Sequence, residues 1–253
     1  MTQRARRAAG RGRISGIGLG AGLLAGSWLA LKRPEVQRAD VRVGDAVRRL
    51  GSPEVDRAVA WTTDLGSIYA VVGAAAALAA AGRRERAADV LGVGILAWNL
   101  SQQSKTRVRR QRPYEADGVR RLIRPPAGSS FPSGHAAVGA AVMTVLADQS
   151  RGPTGRALFR SMAAYVAFTR VYVGVHYPTD VVGGAGLGVL LGSLWRGSAA
   201  AAGRAGVRRG LGAGRRALLP ALRVAAAVAL GARIGRGSPR RSADSEEVSQ
   251  EAA

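Results

Sequence analysis

The sequence has no cysteine, only two histidines and only two lysines, although it contains 36 arginines among its 253 residues. Without cysteine the chain forms neither disulfides nor thiolate metal sites. Cysteine usage therefore does not assign the protein to a reducing or to an oxidising compartment. Aromatic residues make up 5% of the chain, and the arginines alternate with apolar segments instead of forming one basic stripe with interleaved aromatic rings. The net charge of +22 therefore favours an anionic membrane surface or an anionic substrate over a nucleic acid.

Long apolar runs are few and are diluted by charged stretches, so the mean hydropathy is only +0.03. Six apolar segments nevertheless follow one another along the chain, at 14–31, 65–82, 90–104, 132–147, 157–173 and 181–195. The first two are uncharged runs of 18 residues, about the length that crosses the hydrocarbon core of a bilayer. A cleaved signal peptide is the alternative for the first run, but that run is long and lacks a convincing cleavage site. The sequence predicts an all-α integral membrane bundle of about six transmembrane helices.

Two of these segments carry glycine at every fourth position. The first segment contains Gly18, Gly22 and Gly26, and the last contains Gly184, Gly188 and Gly192. Residues four apart lie on one face of a helix, and small residues there let a neighbouring helix approach closely. We expect both sets to face a packed helix.

The chain divides into four predicted regions: a basic cytoplasmic N-terminus at 1–13, a six-helix membrane domain at 14–195, a basic juxtamembrane region at 196–235 and a disordered tail at 236–253. Residues 32–57 mix charges of both signs with apolar positions, which predicts a short helix lying along the membrane surface. The apolar stretch 217–230 has 14 residues, is short for a span and is interpreted as an interfacial helix. The tail has almost no large apolar side chains, which is typical of disorder.

The distribution of arginine predicts the topology of the membrane domain. Five arginines within residues 1–13 place the N-terminus in the cytoplasm by the positive-inside rule. Six crossings then put the turn 83–86 and the loop 151–156 on the cytoplasmic side as well. The same alternation puts the ends of the third and fifth segments, and the beginnings of the fourth and sixth, together on the outer side. We therefore expect a multi-pass protein of the cell membrane whose functional face is extracytoplasmic.

Residues able to do chemistry are concentrated at those four helix ends, in blocks at 105–113, 132–135 and 169–180. Both histidines lie in these blocks, and so does one of the two lysines, a compact ammonium in a chain that otherwise uses arginine. Each block alone has a simpler interpretation: a basic helix flank, a helix start capped by Ser133, and a turn followed by a capping Asp180. Amide groups at a helix N-terminus also bind phosphate readily. The convergence of the blocks on one face favours a shared phosphate site.

Together the three blocks resemble the signature of the type-2 phosphatidic acid phosphatase superfamily, which includes bacterial lipid phosphatases and vanadium haloperoxidases. The family pattern reads Lys-x6-Arg-Pro, then Pro-Ser-Gly-His, then Ser-Arg-x5-His-x3-Asp. Ten fixed positions match it in order, namely Lys105, Arg112, Pro113, Pro132, Ser133, Gly134, His135, Arg170, His176 and Asp180. The one departure is Thr169, which stands where the family has serine and keeps the hydroxyl group.

The resemblance implies a role for each matched polar residue. His176 would be the nucleophile that attacks phosphorus to form a phosphohistidine, and Asp180 would hold its other ring nitrogen. His135 would protonate the departing oxygen and then activate water. The phosphoryl oxygens would be held by the remaining matched groups: Lys105, Arg112, Ser133, the Gly134 amide and Arg170. We expect no cofactor and no metal ion, because no cluster of carboxylates with metal-ligand spacing accompanies the blocks.

These residues imply a metal-independent membrane phosphatase that hydrolyses a lipid phosphate or diphosphate. Phosphatidate, diacylglycerol diphosphate, polyprenyl diphosphate and a polyprenyl phosphoribose phosphate all remain candidate substrates. The alternatives are a vanadate-dependent haloperoxidase, which would share the oxyanion cage, and a non-catalytic binder of anionic lipid. The expected partners are the lipid substrate and membrane lipids, with no nucleic acid, and the oligomeric state stays open.

Overall fold

The computed structural model describes residues 3–150, 152–195 and 204–205. Over these residues the chain is helical and contains no strand, which confirms the predicted all-α class. The helices are α1 (Gln3–Ala30), α2 (Pro34–Arg48), α3 (Pro53–Thr62), α4 (Ile68–Ala80), α5 (Arg84–Arg107), α6 (Pro113–Ala116), α7 (Gly134–Asp148), α8 (Pro153–Tyr172) and α9 (Pro178–Leu194), with a 3₁₀ turn at Thr63–Gly66 between α3 and α4. The predicted interfacial helix at 217–230 and the predicted tail at 236–253 lie outside the described residues.

Capping residues set the helix boundaries more than the edges of the apolar runs do. Proline stands in the first turn of α2, α3, α8 and α9, where its missing amide costs no hydrogen bond. The predicted surface helix at 32–57 is therefore two helices, because Ser52 caps a new helix that begins at Pro53. Likewise α7 begins after Ser133, whose hydroxyl accepts a hydrogen bond from the Ala136 amide.

Helix α7 lies against α5, α8 and α9 and forms the centre of the bundle. The predicted close approach along α9 is confirmed, since a Cβ atom at Gly184, Gly188 or Gly192 would collide with atoms of α7 or of its cap. The backbones of these two helices therefore pack directly on each other. This packing fixes the beginning of α7 beside the beginning of α9.

The glycine set predicted to pack in α1 faces no neighbour within the described part of the chain. Among the described residues, no atom lies within 4 Å of a Cβ placed at Gly18, Gly22 or Gly26. Helix α1 instead approaches α9 through Gly20, which packs against Gly186. The four-residue spacing correctly indicated a face of small residues but selected the wrong face, because spacing alone does not show where a partner helix lies.

Two bent helix pairs have the length and composition to cross a membrane: Ile14–Ala30 with Pro34–Arg48, bent by 105°, and Pro53–Gly66 with Ile68–Ala80, bent by 69°. Within the part of the chain that the structure describes, no single helix is both long and apolar enough, and α7 and α9 are shorter apolar helices. The count of six spans stays a prediction.

Four helix ends meet at one end of the bundle, as the alternation of helix directions predicts. The Ser133 amide donates to the Asp180 carbonyl over 2.9 Å, which joins the beginnings of α7 and α9. The His176 amide donates to the Arg170 carbonyl over 3.3 Å, which joins the loop before α9 to the end of α8. The end of α5 completes the group, because Lys105 Nζ lies 3.9 Å from a Cβ built on Gly134.

Candidate active site

His176 lies in the loop between α8 and α9 and is 2% exposed. The Arg112 Nη1 atom lies 3.3 Å from its Nε2 atom, and the Ser130 hydroxyl lies 3.5 Å from its Nδ1 atom. Burial is the main cause that lowers the pKa of His176 to about 3; Asp180 opposes this effect and Arg112 adds to it. The imidazole is therefore neutral near pH 7. Because Arg112 can only donate, the contacts favour a proton on Nδ1 and a lone pair on Nε2.

Asp180 is fully buried in the first turn of α9 and accepts three strong hydrogen bonds. Its Oδ2 atom accepts from the Ser130 hydroxyl over 2.5 Å and from the Tyr177 amide over 2.9 Å. Its Oδ1 atom accepts from Arg110 over 2.6 Å. The carboxylate lies 3.8 Å from His176 Nδ1, which is beyond hydrogen-bond distance. Ser130 contacts both groups, so it links the histidine to the carboxylate.

Arg112 is completely buried, and backbone carbonyl groups hold its guanidinium group. Its Nε atom donates to Gly128 over 3.0 Å, and its Nη1 atom donates to Val175 over 2.9 Å. A third bond of 3.2 Å runs from Nη2 to the Ala127 carbonyl. These bonds orient the planar group without neutralising it, so its charge is available to an anion beside His176.

Arg170 stands at the end of α8 and is 1% exposed. Its Nη1 atom donates to the Thr63 hydroxyl over 2.7 Å, and that hydroxyl donates to Thr169 over 3.0 Å. Thr169, the one departure from the family pattern, therefore uses its hydroxyl group to hold Thr63 in place beneath the arginine. A serine hydroxyl could make the same contact, which explains why the substitution is compatible with the site.

Lys105, Gly134 and His135 are only partly buried and form the more accessible side of the site. A Cβ atom on Gly134 would lie 3.2 Å from the Ser101 hydroxyl, so the glycine leaves little space between α5 and the start of α7. The His135 Nε2 atom lies 3.5 Å from the carboxylate of Asp64, in the 3₁₀ turn before α4. His135 Nε2 and Arg170 Nε are buried atoms without a hydrogen-bond partner among the described residues.

The structure thus brings together all eight site residues that the sequence predicts, and it adds residues that sequence reasoning missed. Ser130 lies next to the second matched block and Arg110 lies inside the first. Their positions in the sequence therefore gave only a weak indication that they belong to the site. Asp40, Thr63 and Asp64 come from α2 and from the 3₁₀ turn, and no local pattern marked them. Within the described ranges, no group of three or more His, Asp or Glu side chains is arranged to hold a metal ion.

Comparison with known proteins agrees with the resemblance that the three blocks predict. Residues 86–203, which contain all the matched blocks, match the PAP2 superfamily. The decaprenylphosphoryl-5-phosphoribose phosphatase of Mycolicibacterium smegmatis is 35% identical over 116 residues, which are 46% of this chain and 62% of that protein. The enzyme of the same name from Mycobacterium tuberculosis is 34% identical over 113 residues, 44% of this chain and 61% of that protein. The chain thus spans about three fifths of the length of these curated relatives.

Two solved structures share the helical architecture. The transmembrane PAP2 type phosphatidylglycerolphosphate phosphatase of Bacillus subtilis has a TM-score of 0.54 and 25% identity, and the match covers 72% of this chain and 92% of that one. LpxE of Aquifex aeolicus has a TM-score of 0.54 and 26% identity, with 62% of this chain and 94% of that one covered.

Over the described residues, the fold and the site define an all-helical protein in which four helix ends gather two histidines and three cationic side chains. Residues 86–203 are similar to the PAP2 superfamily, the family that the three sequence blocks resemble. The curated relatives are named as phosphatases, which agrees with the phosphoric ester hydrolase expected from the sequence.

Proposed function

We propose that the protein is a membrane phosphatase that removes phosphate from a lipid phosphate or diphosphate through a phosphohistidine. The observation that carries this proposal is the position of His176, a neutral imidazole whose Nε2 atom lies 3.3 Å from the buried guanidinium group of Arg112. A nucleophilic nitrogen beside a fixed positive charge suits attack on an anionic phosphorus centre.

In the first step, the lone pair of His176 Nε2 attacks phosphorus and the bond from phosphorus to the lipid oxygen breaks. His135 must begin this step protonated, a form that the negative charge of the bound phosphate group would favour. It then donates its proton to the departing oxygen, so the lipid leaves as an alcohol, or as a phosphate from a diphosphate. The imidazole becomes positively charged as the bond from nitrogen to phosphorus forms. Asp180, acting with Ser130 at the Nδ1 side, stabilises that charge.

In the second step, a water molecule attacks the phosphohistidine in line with the bond from nitrogen to phosphorus. His135, now neutral, accepts a proton from the water, and the electron pair of the breaking bond returns to His176. Inorganic phosphate leaves, and both histidines are restored to their starting forms. One residue therefore serves as acid in the first step and as base in the second.

Positive charge around the phosphoryl group is expected to provide most of the catalysis. Arg112, Arg170 and Lys105 would each face one or more phosphoryl oxygens, and the amide of Gly134 at the start of α7 would donate to another. The buried Arg170 Nε, which has no partner among the described residues, is a donor that a phosphoryl oxygen could satisfy. Buried donors are costly when unpaired, so this atom supports an anion site.

The substrate class that we propose first is a polyprenyl-linked phosphosugar. The mycobacterial relatives are named for decaprenylphosphoryl-5-phosphoribose, a lipid-linked sugar that carries a phosphate monoester. These relatives are 35% and 34% identical to this chain over 116 and 113 residues. This substrate and phosphatidylglycerolphosphate both present a phosphate group on a lipid head group, which is the chemistry that the site would recognise.

Purified protein is expected to release phosphate from lipid phosphates in the presence of EDTA and to be inhibited by vanadate. The expected metal independence follows from three cationic side chains that would balance the phosphate charge without a divalent ion. Vanadate would take up the five-coordinate geometry of the transition state in the same cage. The assay measures phosphate release from phosphatidate, diacylglycerol diphosphate, a polyprenyl diphosphate and a polyprenyl phosphoribose phosphate, with and without Mg²⁺.

Loss of turnover in EDTA with recovery in Mg²⁺ would contradict the metal-free mechanism. Oxidation of bromide in the presence of vanadate and peroxide, without phosphatase activity, would favour a haloperoxidase. Binding of anionic lipid vesicles without turnover on any substrate would favour a non-catalytic lipid binder.

We also propose that the site faces the extracytoplasmic side of the cell membrane, and the lack of native cysteine makes the topology testable. Single cysteines would replace two exposed arginines: Arg120, which lies between α6 and α7 beside Gly174 of the loop that carries His176, and Arg84, which begins α5 at the helix end opposite Lys105. In intact cells, an impermeant maleimide is expected to label the first and not the second. After the cells are lysed, both positions should react, which controls for accessibility. Labelling of Arg84→Cys alone in intact cells would show that the orientation is reversed.

A further inference from the structure

Arg110 lies inside the first block but is not one of the matched family positions. Its guanidinium group joins two buried carboxylates: Nη1 donates to Asp180 Oδ1 over 2.6 Å, and Nη2 donates to Asp40 Oδ2 over 2.7 Å. The exposed fractions of the side chains are 15% for Arg110, 3% for Asp40 and 0% for Asp180. Each carboxylate would be costly to bury without this cation between them.

Asp40 belongs to α2 and also holds the backbone just before Asp180. Its Oδ1 atom accepts from the Thr179 amide over 2.9 Å, and its Oδ2 atom accepts from the Thr179 hydroxyl. Since Thr179 and Asp180 lie in the first turn of α9, Asp40 satisfies an amide that has no partner within the helix. A helix far from the blocks in sequence therefore fixes the start of α9.

Arg110 is itself fixed on its remaining sides. Its guanidinium carbon lies 4.0 Å from the centre of the Tyr177 ring, in a cation–π contact. The Ser130 amide donates to the Arg110 carbonyl over 2.8 Å. Ser130 in turn contacts both Asp180 and His176. Arg110 is thus hydrogen-bonded directly to Ser130 and to Asp180, the two residues at the Nδ1 side of His176.

We infer that Arg110 and Asp40 are positioning residues that set the orientation of the Asp180 carboxylate toward His176. This inference rests on the proposed function. Arg110 holds Oδ1, so Oδ2 is turned toward Ser130 and the histidine, while Asp40 fixes both Arg110 and the backbone at Thr179. Neither residue contacts the reacting atoms. Their effect is on the geometry that stabilises positive charge on His176 during attack.

The test compares Arg110→Ala and Arg110→Lys with Arg109→Ala, in full-length protein and with the lipid phosphate that the wild type cleaves fastest. Arg109 is the matched control because it is the exposed neighbour in the same loop, and its loss changes the net charge equally. Lysine retains the charge but cannot bridge two carboxylates with a planar fork. A small misplacement of a catalytic group can cost on the order of 100-fold in rate, and we expect kcat to fall by about that factor in both Arg110 variants with little change in KM.

Two further measurements separate positioning from a purely structural role. Added guanidinium ion should restore part of kcat in Arg110→Ala, because it can occupy the same place between the carboxylates, and should not change Arg109→Ala. Asp40→Asn should also lower kcat rather than raise KM, whereas Asp45→Asn on the same helix, which removes an ion pair with Arg48, should not. Thermal unfolding of each variant shows whether it retains the wild-type melting temperature; we expect Arg110→Lys to retain it.

If Arg110→Lys and Asp40→Asn keep the wild-type kcat, or if only their KM rises, the inference is overturned and the proposed function is left intact. Absence of phosphate release by the wild type and by Arg109→Ala would overturn the proposed function, and the inference with it. A loss of kcat that guanidinium reverses only in Arg110→Ala supports positioning.

Discussion

Replacement of His176 by alanine is expected to reduce phosphate release to background with every substrate. Its Nε2 atom is the nitrogen that faces Arg112, and the only other histidine, His135, would lack the link to Asp180 that stabilises an imidazolium. Without a nucleophile no phosphoenzyme forms, so the loss does not depend on the leaving group. The measurement is rapid quench with radiolabelled substrate, in which the wild type should show acid-labile, base-stable label on the protein and His176→Ala none.

His176→Asn is the matched control for packing, because asparagine is polar and fills more of the buried space than alanine but cannot accept a phosphoryl group. We expect it to be as inactive as His176→Ala. Label on either variant would show that another residue is the nucleophile. Unaltered thermal unfolding in His176→Asn, together with loss of label, would exclude collapse of the loop between α8 and α9 as the cause.

The matched residues could be predicted from sequence because each lies at a helix end whose position the apolar segments already define. Lys105 follows an apolar run, Ser133 begins one, and Asp180 stands just before another. Capping residues and the order of the apolar segments can both be read from the sequence. They predict where each helix begins and ends, and therefore where these residues lie. The convergence of the blocks required only that successive helices run in opposite directions.

The links among these residues could not be predicted, because they depend on how distant helices pack. Asp40 is one acidic residue in α2, a helix of mixed charge, and it reaches Arg110 only because the chain turns by 105° between α1 and α2. Nothing in the spacing of apolar residues fixes such an angle. Ser130 likewise gave no sign that it would contact His176 and Asp180 at once.

The glycine sets show the same limit within the fold. Gly188 and Gly18 belong to sets with the same four-residue spacing, yet the first packs on α7 and the second has no described atom near its Cβ position. A four-residue glycine pattern indicates that one face of a helix carries small residues. Whether a neighbour occupies that face depends on the tertiary arrangement, here on α1 approaching α9 through Gly20.

Replacement of His135 by alanine is expected to impair lipid substrates far more than substrates with a good leaving group. A lipid alkoxide leaves badly without a proton, whereas nitrophenolate is stable as an anion. General acid–base catalysis contributes about 10² to 10⁴-fold, and we expect a loss of that size with lipid phosphate. With nitrophenyl phosphate, the first step should be much less affected, and a burst of nitrophenol should precede slow turnover.

The same variant should accumulate the phosphohistidine, because His135 is also required to activate water in the second step. Rapid quench should therefore detect more label on His135→Ala than on the wild type during turnover of nitrophenyl phosphate, and none on the double variant that also lacks His176. The His135 side chain is 26% exposed and its buried Nε2 atom lies 3.5 Å from Asp64; the proposed role requires this ring to meet both the leaving oxygen and water. Equal losses on the two substrates without accumulation of label would show that His135 binds phosphate instead of transferring protons.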